Sequence, residues 1–266
     1  MSILYQLPAD DLIQSLTPIV SVGTADTNYP ITNVCNDNLA RPVKWTSVAG
    51  GFTFYVDLGS AVAIRFCSLH NTRGDAAADY VLLSADDSAF SVNQTQFHFN
   101  ELGLDDDGYS DDPYIYTGLA GSTARRYWGV AAGPPPLAPT IGRWWLSQTA
   151  RTLDTPRHDG YTWTEGHEAV IHKTGGGVKL IYPKGIRDPR SVSGTLRTDL
   201  TSLGALHTWE RKAGCSRAVP IVLDTTRNET RFVRFSPGYI ITQTYLSPTL
   251  VDVPISWDDV ARGLVY

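Results

Sequence analysis

Several things are scarce in this chain, and each scarcity excludes something. Only 5 of the 22 basic residues are lysine, and acids outnumber bases 27 to 22. No basic tail therefore announces a nucleic-acid partner. Charged residues make up 18% of the chain, too few for a disordered tail or a long coiled coil. No apolar run approaches the ~18 residues of a membrane-spanning helix. The stretch from Met1 to Val22 has no cationic head and carries Asp10 and Asp11, so it does not read as a secretory signal. Cysteine occurs three times, at Cys35, Cys67 and Cys215, an odd number at wide spacing. Such cysteines fit small buried hydrophobes in a chain folded in a reducing cytosol better than a disulfide framework.

What is present points to β-structure. Aromatics reach 11%, and 23 glycines with 16 prolines punctuate the 266 residues too often for long helices. Phe52, Phe54, Val56 and Leu58 alternate with Thr53, Tyr55 and Asp57 until Gly59, the period of a half-buried strand. Ile64–Leu69, Tyr80–Leu83, Gln96–Phe99, Tyr127–Val130 and Gly142–Leu146 are further short strands. Many short strands joined by polar connections predict a sandwich or jelly roll.

Charge divides the chain. Residues 1–150 hold 15 acids and 7 bases (net −8), and residues 151–266 hold 12 acids and 15 bases (net +3). Two units are expected, 1–150 and 151–266, with the boundary near Ala150. The second unit predicts strands at Val178–Tyr182, Val192–Leu196, Val219–Leu223, Phe232–Phe235 and Ile240–Tyr245. Val251, Val253, Ile255 and Trp257 alternate too, with Pro254 arguing for an edge. Between them, Thr198-Asp199 is a helix cap, Leu200, Leu203 and Leu206 recur at near-helical spacing, and Gly214 is a stop. The fold class is all-β, with one helix.

Five ordered pieces of the first unit resemble the discoidin family, the galactose-binding-like jelly roll. They are Tyr29–Val34 with Asp37–Ala40 and Trp45–Ser47, then Phe54–Gly59, Ile64–Asn71, Tyr80–Asp87, and Ala124–Trp128. The resemblance implies a ligand-binding end built from the loops Asn36–Trp45 and Asn71–Asp79. They supply Asn36, Asp37, Asn38, Arg41, Trp45, Asn71 and Arg73, a set suited to a sugar. The alternative is that these residues make turns and subunit contacts, with Trp45 in the core.

In the second unit, Arg190–Leu196, the helix through Trp209 and Gly214, Ala218–Asp224, Arg231–Phe235 and Val253–Asp259 resemble phage tail-tip ring proteins. These are the distal-tail and minor-tail group, built on the tail-tube barrel. That resemblance implies a β-barrel with one α-helix and oligomeric rings around a channel. It also implies no enzyme, and a place in the virion at the tail tip after assembly in the host cytoplasm. The partners would be further copies, other tail proteins and a host cell-surface glycan, with DNA only as passing cargo and no membrane. The competing expectation is a carbohydrate-binding module joined to a β-rich glycan-degrading or adhesive domain.

Three constellations remain. Asp105, Asp107 and Asp111 lie in a run of five acids around Gly108, which offers hard oxygen ligands for a structural Ca²⁺, or a solvated tip. The Asp37 loop is a second Ca²⁺ candidate; no other cofactor is expected. His167 and His172 stand five apart in a strand-like stretch, so they face opposite sides and do not form the helical zinc pair. Gly175-Gly176-Gly177 has the wrong spacing for a phosphate loop and reads as a hairpin turn. Arg187, Arg190, Arg197, Arg231 and Arg234 suit fixed subunit contacts better than a diffuse phosphate-binding surface.

Overall fold

The structure, a computed structural model, describes residues 2–36, 41–47, 50–73, 80–98, 114–116, 122–133, 140–154, 157–164, 167–173, 179–187, 191–224 and 229–259. In chain order the strands begin with β1 (Ser2–Tyr5), β2 (Ile19–Val22), β3 (Thr24–Ala25), β4 (Val43–Ser47) and β5 (Phe52–Val62). Then come β6 (Phe66–Arg73), β7 (Tyr80–Ala85), β8 (Thr95–His98), β9 (Tyr114–Tyr116), β10 (Arg125–Ala132) and β11 (Thr140–Ser147). The remainder are β12 (Arg151–Asp154), β13 (Arg157–Thr164), β14 (His167–Lys173), β15 (Lys179–Arg187) and β16 (Ser191–Asp199). After α1 (Leu200–Ala213) follow β17 (Val219–Asp224), β18 (Glu229–Phe235), β19 (Thr244–Tyr245) and β20 (Leu250–Asp259). The described residues are all-β with one α-helix, as expected.

Two five-stranded sheets, β2-β5-β10-β7-β8 and β3-β4-β11-β6-β9, form the sandwich. The alternation in β5 does the work anticipated: Phe52, Phe54 and Val56 are buried between the sheets, and Tyr55 and Asp57 are not. Phe54 meets Trp144 of the opposite sheet edge to face, with centroids 5.4 Å apart. Cys67 and Leu69 of β6 and Trp144 and Leu146 of β11 complete the same core. Burial pushes the thiols of Cys35 and Cys67 up to about 12, so both behave as apolar side chains. All three cysteines are free, and Cys215 is exposed.

The second sheet runs β12-β1-β17-β18-β20-β16-β13, with β19 added against β20. Its two ends are consecutive in the chain: β12 stops at Asp154 and β13 starts at Arg157. Three peptide steps span at most ~11 Å. Laid flat, the seven strands of this path would hold their edges ~29 Å apart. The sheet is therefore strongly curled, and one interrupted strand serves both edges. Across its surface lies α1, capped by Asp199, whose carboxylate accepts from Ser202 N at 2.7 Å. Leu203, Leu206, Trp209 and Ala213 are buried against the sheet, and Gly214 ends the helix at φ 54°.

Two expectations need correction, and a third holds only locally. The unit limits 1–150 and 151–266 miss β1, which lies ahead of the sandwich in the chain yet pairs with β12 and β17. Ile3, Tyr5 and Leu7 are buried in the second core for the same reason. Of Ile240–Tyr245, only Thr244–Tyr245 is strand; Ile240 is 75% exposed and has no apolar face to join. Pro254, expected at an edge, lies at a local one within an inner strand, paired on one side with Thr195 of β16. Its other side lies between the stretches of β20 taken by β19 (Val251 and Asp252) and by β18 (Trp257 to Asp259). There the Tyr239 hydroxyl donates to the Pro254 carbonyl at 2.6 Å, so the missing N–H leaves no broken ladder.

The two cores meet along β6 and β11. Ser68 and His70 of β6 stand opposite Trp145 and Arg143 of β11, all on the face turned away from the sandwich core. Phe66 and Trp145 pack into the second core. His70 lies 4.6 Å from the Phe232 ring and Trp145 lies 6.3 Å from it. Every residue of β11 is buried, because both of its faces are covered.

Candidate functional site

Sequence placed the candidate ligand loops around Asn36–Trp45 and Asn71–Asp79, and the structure rearranges both. Asn71 and Arg73 are strand residues: β6 continues to Arg73, where Thr140 of β11 still pairs with it. Asp37 and Asn38 lie outside the described residues, as do Asp105, Asp107, Asp111 and Arg190. Trp45 is 2% exposed and stacks on Phe52 with centroids 4.4 Å apart. It belongs to the core, the second of its two readings, and presents no ring to a ligand.

Asn36 and Arg41 are exposed on one flank of the sandwich. A set of short-range bonds builds that flank. The Asp26 side chain accepts from Asn28 N at 2.8 Å, Tyr29 N bonds Asp26 O at 3.0 Å, and Asp26 N bonds Lys44 O at 2.8 Å. Asn33 Nδ2 donates to Pro42 O at 3.4 Å, tying the 31–35 helical turn to the chain just before β4. Lys44 Nζ sits 3.9 Å from the Tyr29 ring centroid. An amide, a guanidinium, an ammonium and a tyrosine thus share one surface, with donors suited to a hydroxyl-rich ligand. The Tyr29–Lys44 contact was missed in the sequence. Its only signal was Tyr29-Pro30, which fixes an extended turn without naming the lysine 15 positions on.

The arginine set splits. Arg197 forms a two-pronged pair with Asp252 at 2.8 and 2.9 Å, which holds the Asp252 carboxyl below its usual range. Arg234 lies 3.8 Å from Asp258. These two guanidinium groups brace neighbouring strands of their own sheet. Arg231 is half-buried in β18, and Arg187 is a residue of β15. His167 lies in β14, as do His172 and the other residues of that strand. Gly175-Gly176-Gly177 is outside the described residues, between antiparallel β14 and β15. Among the described residues, no cluster of three His, Cys, Asp or Glu side chains could hold a metal ion.

No protein-family model matches the chain, and no curated protein matches it. Solved structures similar to it cover about half its length. One is the lectin domain of lectinolysin complexed with Lewis B antigen, at 14% identity and TM-score 0.39, covering 53% of this chain and 97% of that one. A Streptococcus pneumoniae fucose-binding module has 14% identity and TM-score 0.39, covering 52% and 95%. A chitosan-binding module from a chitosanase/glucanase of Paenibacillus sp. IK-5 has 16% identity and TM-score 0.39, covering 51% and 97%. No residue role transfers at such scores.

Proposed function

We propose that the chain is a structural subunit of a phage tail tip, in which the curled second unit builds a ring and the sandwich displays a glycan-binding surface outward. The observation that carries this reading is the shared seam. The sandwich is bolted to the curled sheet through β6 and β11 instead of hanging from a linker, so its exposed flank keeps one direction relative to the sheet. A fixed display on a self-associating base is the architecture of an assembly protein. The resemblance of the second unit to tail-tube barrels supports the ring, and the exposed Asn36 and Arg41 with the half-buried Tyr29 and Lys44 support a sugar contact.

In this reading the partners are further copies of the chain, neighbouring tail proteins and a host-surface glycan, and no substrate is turned over. Imaging of the purified full-length chain tests it: a ring around a central channel is the expected outcome. A monodisperse monomer at micromolar concentration, or hydrolysis of a polysaccharide by the whole chain, would overturn it.

A further inference from the structure

The two outer faces of the sandwich have different fates. The β6–β11 part of one is buried against the second core, whereas on that of β2-β5-β10-β7-β8 only a small cluster of Leu83, Ala85 and Phe90 is buried among the described residues. On this open face Tyr55 and Tyr127 are both half-buried at the rim of that cluster, with centroids 6.0 Å apart and planes inclined at 72°, and the Arg126 guanidinium lies 5.2 Å from the Tyr127 ring centroid on one side, leaving a sugar only the rest of the two rings. Beside them lies Asp57, cross-strand from Tyr127. Its carboxylate accepts from Arg126 Nε at 2.7 Å, Arg126 Nη2 at 2.8 Å and Gly59 N at 2.8 Å. The Tyr127 hydroxyl reaches it as well, and together these bonds hold the carboxyl below its usual range, Arg126 contributing most. The fork leaves Nη1 of the exposed Arg126 guanidinium outside the pair.

Phe90 closes one end of this face. It meets Tyr55 edge to face at 5.6 Å. It also sits over Gly129, where an added Cβ would stand 3.1 Å from Phe90 Cζ. The β7–β8 turn that delivers it contains both non-glycine residues with positive φ among the described ones, Phe90 and Asn93, each at 53°. A bulky residue in that region is strained and persists only where its surroundings enforce it. Here Asp87 accepts from Ser91 N, Ser91 Oγ and Val92 N at 2.9, 2.7 and 2.8 Å, and Asn93 Nδ2 donates to Asp86 at 2.7 Å.

We infer that this face is a carbohydrate site separate from the flank of Tyr29 and Lys44, with Tyr55 and Tyr127 taking the apolar face of a sugar ring and Arg126 and Asp57 its hydroxyls. The inference deepens the glycan half of the proposed function and rests on it. A sugar is the occupant the chemistry favours, being uncharged, with a C–H face for the rings and hydroxyls for the ion pair. The centre of a protein–protein interface is depleted of charge, but here the ion pair adjoins the tyrosines. A nucleic-acid strand would meet Asp57, Asp86 and Asp87, which repel phosphate.

The test uses the full-length chain on an array of immobilised oligosaccharides, with the strongest hit carried into calorimetric titration. Tyr127→Ala and Tyr55→Ala should each weaken binding at least tenfold; the flank variants Tyr29→Ala and Lys44→Ala are measured beside them, and Lys212→Ala on the exposed side of α1 is the control that should leave binding unchanged. Tyr127→Phe keeps the ring and removes one bond to Asp57, so it should fall between; unaltered thermal melting confirms folding. If the flank variants abolish binding and the face variants do not, this site is wrong and the flank reading stands. If the wild type retains no oligosaccharide, both fail. A wild-type dimer dispersed by Tyr127→Ala would assign the face to a second copy and overturn the inference.

Discussion

The two outer faces of the sandwich start from the same backbone and end in opposite environments. On β6 and β11 the outward positions are Ser68, His70, Arg143 and Trp145, a mixture that sequence pattern alone would place in water. All four are buried. On β5 and β10 the outward positions include Tyr55 and Tyr127, which pattern alone would place in a core, and they are half-exposed. Outward polarity therefore does not say which face is covered. What distinguishes the faces is that one is packed against the second core. Arg143 donates to Val34 O and Trp144 O, each at 2.9 Å, and pairs with Asp11. His70 Nε2 lies 2.8 Å from Ser68 Oγ. The covered face is a polar patch satisfied only in part: His70 Nδ1 and Trp145 Nε1 find no hydrogen-bond partner among the described residues, and such groups are costly to bury.

That comparison can be broken, and the largest lever is the buried ion pair. Arg143→Leu strands the Asp11 carboxylate, whose side chain is 1% exposed, and should cost about 3–5 kcal/mol in urea unfolding. Pairing it with Asp11→Asn should recover much of that loss. Next comes pH. Burial, aided by the nearby Arg143 charge, lowers His70 from 6.5 to about 3 in the folded chain. Between those values the unfolded chain binds more protons, so stability is full above about 6.5 and declines as pH falls. From pH 7 to pH 5 the loss from this residue should be roughly 2 kcal/mol. His70→Gln should flatten that slope in denaturation curves.

On the open face, Gly129→Ala would set a Cβ 2.7 Å from Phe54 O and 3.1 Å from Phe90 Cζ. It should cost about 2 kcal/mol or more, because the Phe90 ring can yield but the backbone carbonyl of Phe54 cannot without shifting β5. An equally large effect from a half-exposed Tyr127→Ala would mean that this face is as structural as the seam, erasing the contrast. The smallest effect belongs away from both faces: Asp199→Ala removes the α1 cap and should cost about 1 kcal/mol in the same assay.

Some of this was legible in the chain. Phe52, Phe54 and Val56 announced β5, and Asp199 and Gly214 bracketed α1, because alternation and capping are local and written within a few residues. Trp45 stayed ambiguous, since an aromatic beside a polar loop serves a core or a ligand equally well until the opposite sheet is placed. Pro254 marked a local edge but not the place of its strand, because β20 is an inner strand whose neighbours on one side, β18 and β19, both stop short of Pro254 and leave that side to Tyr239. The seam was invisible for the same reason, as His70 and Phe232 are distant in sequence and meet only after both sheets exist. At the candidate site, Asn36 and Arg41 were identified, but Tyr29 and Lys44 were not, because their contact needs the turn at Asp26.

One strand has a consequence for how the molecule is made. β1 leaves the ribosome before the whole sandwich, yet one of its partners, β17, comes more than two hundred residues later. At translation speeds of ~5–20 residues per second, its N–H and C=O groups wait roughly 10–40 s for that ladder. During that interval the sandwich can already be complete, with Asp10 and Asp11 ready to take Arg151 and Arg143. The tether just behind β1 would then keep the orphan strand near its destination, where a free one could pair with a neighbouring nascent chain.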